Sequence, residues 1–189
     1  MEMTGALFRR QWPAVVCGAL LWLMAFGAGW WWAPADPTGV TRAPKDGDWD
    51  LFTEILARNA SVSAALFLGV VTLGVMTIPL TLLTGVLAGY YGGQGSAVLG
   101  AGGVVRHLLP HMPLELACLA LAAAAGLVPL VAWARVGLTG TSGEPARGTA
   151  PRGVAGFVAR SGFPDACRLW GVAVAGLTVA AGIETWVST

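Results

Sequence analysis

Apolar residues run along this chain in blocks far longer than a soluble core uses, and short polar segments between them hold nearly all the charge. The first block follows Arg9 and Arg10 and continues without a charged residue from Gln11 to Ala35 through LLWLMAFGAGWWW. About 20 apolar residues cross the hydrocarbon of a bilayer, so this block predicts a span over residues 12–33. A cleaved signal would have a shorter apolar region of about 7–15 residues. Pro34, in the middle of Ala33-Pro34-Ala35, also hinders cleavage, so the span is expected to be retained. Trp30, Trp31 and Trp32 fall at its far end, where aromatic side chains form an interfacial belt.

Residues 60–105 contain no Asp, Glu, Lys, Arg or His, roughly twice what one crossing requires. Two crossings are therefore expected, over residues 60–91 and 96–109. The break is expected at GGQGS, Gly92 to Ser96, with Pro79 kinking the first element; a turn nearer Thr84-Gly85 would give more even lengths. LELACLALAAAAGLVPLVAW follows as a span over residues 114–134, rich in the Ala and Gly that suit burial among other helices. The last block predicts a span over residues 169–187. The pattern thus defines an all-α fold: a polytopic transmembrane helical bundle of about five spans, forming a single integral membrane domain over residues 1–189.

The polar segments refine this picture. Asp48 is placed to cap a short amphipathic helix, Trp49 to Arg58, whose Trp49, Phe52, Ile55 and Leu56 make a stripe suited to lying on the membrane surface. Glu54 and Arg58, four residues apart, can pair on it. Residues 135–168 are rich in Gly and Pro and are expected to form a mobile loop. It carries Arg135, Arg147, Arg152, Arg160 and Arg168 against Glu144 and Asp165. Lys and Arg concentrate in cytoplasmic loops, so this loop and the amino terminus are both assigned to the cytoplasm. That requires an even number of crossings between them and places the chain in the cytoplasmic membrane with the Asp36–Arg58 segment outside.

Composition agrees: 56% hydrophobic and 11% charged residues with a mean hydropathy of +0.68 belong to the polytopic membrane class. A net charge of +1 excludes nucleic acid as a partner, since phosphate binding needs clustered Lys and Arg. Three cysteines, two of them within apolar runs, define neither a disulfide framework nor a metal cluster.

Candidate chemistry gathers in RHLLPHMPLEL, Arg106 to Leu116. His107, His111 and Glu115 are four residues apart and would stack on one face of an unbroken helix. Pro110 is expected to end one segment and Pro113 to sit in the first turn of the next, which leaves His111 and Glu115 together. Intramembrane ionisable groups are costly and are functional candidates by default. The assigned orientation brings Glu54, Arg58, Asn59 and His107 to the same leaflet as a polar constellation. Gly85 and Gly89 form a G-x-x-x-G for close helix packing, within the chain or between two copies. Glu184, near the end of the last span, reads as a terminal residue facing water.

From LFTEILARNASVSAALFLGVVTLG through LLTGVLAGYYGG to PHMPLELACLALAAAAGL, the chain resembles the stage II sporulation protein M family, also called DUF95. The resemblance rests on Asn59 opening a span, Thr84-Gly85 before the G-x-x-x-G, Pro110-His111, and Glu115. Arg58, Thr84 and Met112 depart from its usual residues. The resemblance implies two settings: a membrane complex that remodels the bacterial envelope in sporulation, or maturation and export of a head-to-tail circular bacteriocin by short members.

Several roles for His111 and Glu115 follow. They can lock helix packing in an assembly component that holds an exporter or a cell-wall hydrolase complex. They can act as general acid and base in maturing an apolar peptide, by leader removal or cyclisation. Proton-coupled transport is a further role for the same pair. No nucleophile motif accompanies them, and nothing singles out Ser61 or Ser63. Zinc would require His107 as third ligand on a helix surviving two prolines, so no metal or other cofactor is assigned. Cysteine labelling of intact cells checks the topology: a cysteine at Gly47 should react with an impermeant reagent while one at Gly143 stays protected. Reversed labelling would invert the topology, and equal labelling would remove the fifth crossing.

Overall fold

The computed structural model describes residues 2–34, 47–139 and 162–187. Five helices account for most of them: α1 (Glu2–Trp32), α2 (Trp49–Leu68), α3 (Thr77–Gly103), α4 (Met112–Thr139) and α5 (Phe163–Trp186). A 3-10 turn, Gly69–Thr72, follows α2, and a π turn, Val104–Leu108, follows α3. The described residues contain no strand. Four segments are long and apolar enough to cross a bilayer: Gly5–Trp32, Trp49–Thr72, Met112–Arg135 and Phe163–Trp186. Helix α3, at 27 residues, has the length; Thr77, Thr81, Gly85, Gly89 and Gly93 on its buried side dilute its hydropathy. The protein is a multi-pass helical bundle of four to five spans. Its lipid-facing surface is made of side chains such as Leu20, Leu23, Met24, Leu83 and Val179, all exposed.

Two differences from the elements the apolar pattern predicts change the topology. Helix α2 does not stop at Arg58: the amphipathic stretch and the apolar stretch are one helix, capped by Asp48, whose Oδ1 accepts from the Leu51 N–H at 2.7 Å. Its first turns lie against the end of α5 rather than along the membrane, with the Trp49 and Phe52 rings 5.1 and 5.3 Å from that of Trp186. The break within residues 60–105 also lies elsewhere. GGQGS is inside α3, and the chain reverses at Gly69–Met76, where Leu73 (φ 56°) and Gly74 (φ 87°) are left-handed and the Gly74 N–H reaches the Gly69 carbonyl at 2.8 Å. The helices over these residues are therefore Trp49–Leu68 and Thr77–Gly103, not elements bounded at 60–91 and 96–109. Gly92 and Gly93 serve packing instead of turning, lying beside Trp30 of α1 and Ala33 just after it. Pro79 stands in the first turn of α3, where it lacks no needed bond, and the kink in α3 is at Gly100 (φ 63°). The expected loop over residues 135–168 is shorter, because α4 runs on to Thr139 and α5 already begins at Phe163, which makes Asp165 and Arg168 helical; its centre, residues 140–161, is outside the described residues.

Small residues let the backbones meet. Helix α1 lies between α3 and α4, while α4 is central and also contacts α2 and α5. A Cβ on Gly89 would overlap the Phe26 carbonyl, and one on Gly85 would come within 2.7 Å of Ala25 Cβ. On the other side of α1, a Cβ on Gly18 would lie 2.8 Å from Ala124 Cα. Ala122, Ala123, Ala124 and Ala125 are wholly buried, as the composition of that span predicts.

Consecutive helices run in opposite directions, so charge separates between the two ends. At one end, Asp165 in the first turn of α5 pairs with Arg10 and accepts from Gln11 Nε2 at 2.7 Å. Arg168 stands 3.6 Å from the same carboxylate, and Arg135 reaches the Arg10 carbonyl. At the other end are Trp49, Trp186, and the starts of α2 and α4. Gly89→Ala should destabilise the purified protein by about 1–3 kcal/mol, the usual cost of overpacking. Gly171→Ala, with open space around its Cβ, should be neutral or stabilising by up to about 1 kcal/mol. Thermal melting in one detergent compares them.

Candidate functional site

The site begins where α3 gives out. Its last residues loosen into the π turn, with the Leu109 N–H bonded to the Val104 carbonyl at 3.0 Å. Pro110 then has no N–H to continue the ladder. A new helix starts at once, and the Glu115 N–H takes the His111 carbonyl at 3.1 Å. Pro113 falls in its first turn. His111, only 7% exposed, is thereby fixed at the head of α4 with Glu115 one turn below it.

Two other helices complete the group. From α2, the buried Asn59 hydrogen-bonds the Glu115 side chain, and Arg58 acts on the same carboxyl electrostatically. From the last turn of α5, Glu184 brings Oε2 to 3.9 Å from His111 Nε2. One donor atom each from His111, Glu115 and Glu184 lies within 4.8 Å of the other two. They form an imidazole and two carboxyls at one end of the bundle, half open to solvent on the Glu184 side.

The structure sorts the residues singled out in the sequence. His111, Glu115, Asn59 and Arg58 come together. His107 does not join the donor group: the π turn and Pro110 take it out of line with His111, and it makes interactions of its own. Glu54 is exposed on α2, outside the group. Gly85 and Gly89 pack against α1.

Glu184 was missed as a site residue because it looks terminal. The missing signal is periodic. Ala173, Leu177 and Ala180 are buried at spacings of four and three, and Glu184 continues that stripe four residues further on, toward α4.

The arrangement has definite chemical abilities. Two carboxyls this close repel when both are ionised, and Arg58, a protonated imidazole, a shared proton or a cation can offset that repulsion. Imidazole beside carboxylate supports proton transfer. The nearby hydroxyls are otherwise engaged: Ser61 Oγ donates to the Ala57 carbonyl at 2.7 Å, and Ser63 Oγ accepts from Trp170 Nε1 at 3.0 Å. Cys118, one turn beyond Glu115, is buried with its sulfur against Gly176. For a metal, the third donor that His107 would have supplied is supplied by Glu184.

Fold and site together define a polytopic helical membrane protein with an ionisable cluster at the mouth of its bundle. The family follows from the chain itself: the profile of "Stage II sporulation protein M" matches residues 18–189, and the chain belongs to that family. No curated protein and no solved structure matches it. Asn59→Leu should cost about 1–3 kcal/mol, because the Glu115 carboxyl loses its hydrogen-bond partner. The exposed Glu54→Gln should stay within about 0.5 kcal/mol. Chemical or thermal unfolding of the purified variants distinguishes them.

Proposed function

We propose that this family member is a membrane-embedded catalyst of peptide maturation, hydrolysing a peptide bond at the His111–Glu115–Glu184 cluster. The observation that carries the reading is convergence: one buried imidazole and two carboxyls arrive from α4 and α5, and Asn59 of α2 steadies the Glu115 carboxyl. Glycine and alanine supply close packing elsewhere in the bundle, so such costly groups suggest a use beyond cohesion. Within the cluster, one group takes a proton from the attacking water and another protonates the leaving amine. With both nearby serines engaged, water is favoured over a covalent nucleophile, and leader removal over ligation. Exposed apolar side chains around the mouth, Val105, Leu109, Trp49 and Trp186, suit an apolar peptide arriving from the bilayer.

A second reading has its own observation. The Asn59–Glu115 and His111–Glu184 contacts tie α2, α4 and α5 together, as a component built to hold exporter or cell-wall hydrolase partners would require.

Melting and processing of a co-expressed precursor, measured on the same preparations, separate the two. Under the catalytic reading, His111→Ala and Glu115→Gln each cut processing by about 10²-fold or more while melting is little changed. Under the assembly reading, the variants melt earlier and processing falls only as far as folded protein is lost. A stable His111→Ala protein with normal processing ends the catalytic reading.

A further inference from the structure

We infer that His111, Glu115 and Glu184 form a binding site for one divalent transition-metal ion of the Zn2+ class, with a coordination position left open. The inference deepens the hydrolytic reading given above and rests on it for its purpose, though not for its geometry.

The geometry is that of three donors around a point. Donor atoms no more than 4.8 Å apart surround a centre that lies within about 2.8 Å of each, against roughly 2.0–2.2 Å for Zn–N and Zn–O bonds. Contraction by less than an ångström closes the site. Two of the donors are held: His111 is buried at the head of α4, and Glu115 is fixed by the Asn59 side chain, the kind of outer partner that orients a metal ligand. The third, Glu184, has a side chain 35% exposed in the last turn of α5, so it has room to swing inward.

Donor chemistry narrows the ion. Mg2+ and Ca2+ prefer oxygen ligands throughout, whereas an imidazole with two carboxylates suits Zn2+ and its neighbours in the first row. Charge agrees, since a divalent cation balances the two carboxylates and leaves the Arg58 guanidinium available to a developing oxyanion. Three protein ligands with one open position make the arrangement found in catalytic rather than structural zinc sites. Ions of this class lower the pKa of bound water to about 7 in hydrolytic sites. This would supply the nucleophile that the two engaged serines do not: the water oxygen bonds to the peptide carbonyl carbon, the C–N bond breaks, and a proton of that water is carried to the leaving amine by the Glu184 carboxylate oxygen that is not on the ion.

The test uses the full chain purified in detergent, stripped with chelator and titrated with Zn2+, with Co2+ as spectroscopic probe. The expected result is one ion per chain by elemental analysis and a Co2+ ligand-field band showing nitrogen and oxygen donors. His111→Ala and Glu184→Gln should each weaken binding at least tenfold, and the exposed Asp50→Asn should not. Because lost binding in His111→Ala alone does not separate ligation from folding, a rise in wild-type melting temperature on adding Zn2+, lost in Glu184→Gln, serves as the second readout.

Absence of stoichiometric Zn2+ and Co2+ binding by the wild type overturns the site, as does binding unchanged by both ligand variants. Either result leaves the acid–base reading to be judged by its own processing assay. Stoichiometric binding together with normal processing by His111→Ala supports the site and overturns the function proposed above.

Discussion

Lipid tails offer a helix nearly the same apolar surroundings as another helix does, so what holds this bundle together is how closely backbones can approach. The small residues of α1, α3 and α4 meet that requirement. Gly18 and Ala124 bring α1 onto α4, Gly85 and Gly89 bring it onto α3, and the buried run Ala122–Ala125 makes α4 thin enough to be touched from several sides. Everything described at the ends of the bundle depends on that central position. A bulkier α4 would hold α2 and α5 apart, and Asn59 and Glu184 would not meet the same turn.

The two polar ends contrast in construction. At the Arg10 end, a buried aspartate is answered by guanidinium groups and an amide from α1 and from α5 itself, an arrangement that ties down the start of α5. At the other end, acceptors outnumber fixed cations, and one carboxyl stays partly open to solvent. Compensated charge makes a clasp; charge compensated only in part leaves room for a proton, an ion or a substrate. That difference sets the two ends apart more clearly than burial does.

Much of this was legible in the sequence, for physical reasons that can be named. The crossings follow from long uncharged runs, the buried character of α4 from its alanines, and the partnership of His111 with Glu115 from two prolines that restart a helix. The reversal after α2 was not legible. GGQGS has the composition of a turn, yet it is helical and its Gly92 and Gly93 lie against Trp30 and Ala33, while Leu73, a residue with no turn signature, adopts a left-handed backbone. Glu184 was hidden for a similar reason. Its partner is far away in sequence, and nothing local shows which side of α5 meets α4. Hydropathy reports what each segment wants from its solvent, whereas the site is decided by which segments become neighbours.

The position of α1 carries a consequence for assembly. Its main contacts are with α3 and α4 rather than with α2, the next helix along the chain. During synthesis the first hydrophobic segment therefore enters the bilayer well before its lasting neighbours exist. Until they arrive, the notches at Gly18 and Gly29 face lipid, and the tryptophans at the far end of α1 are left to hold its depth. Closure of this fold around its oldest helix is delayed until the third and fourth are in place.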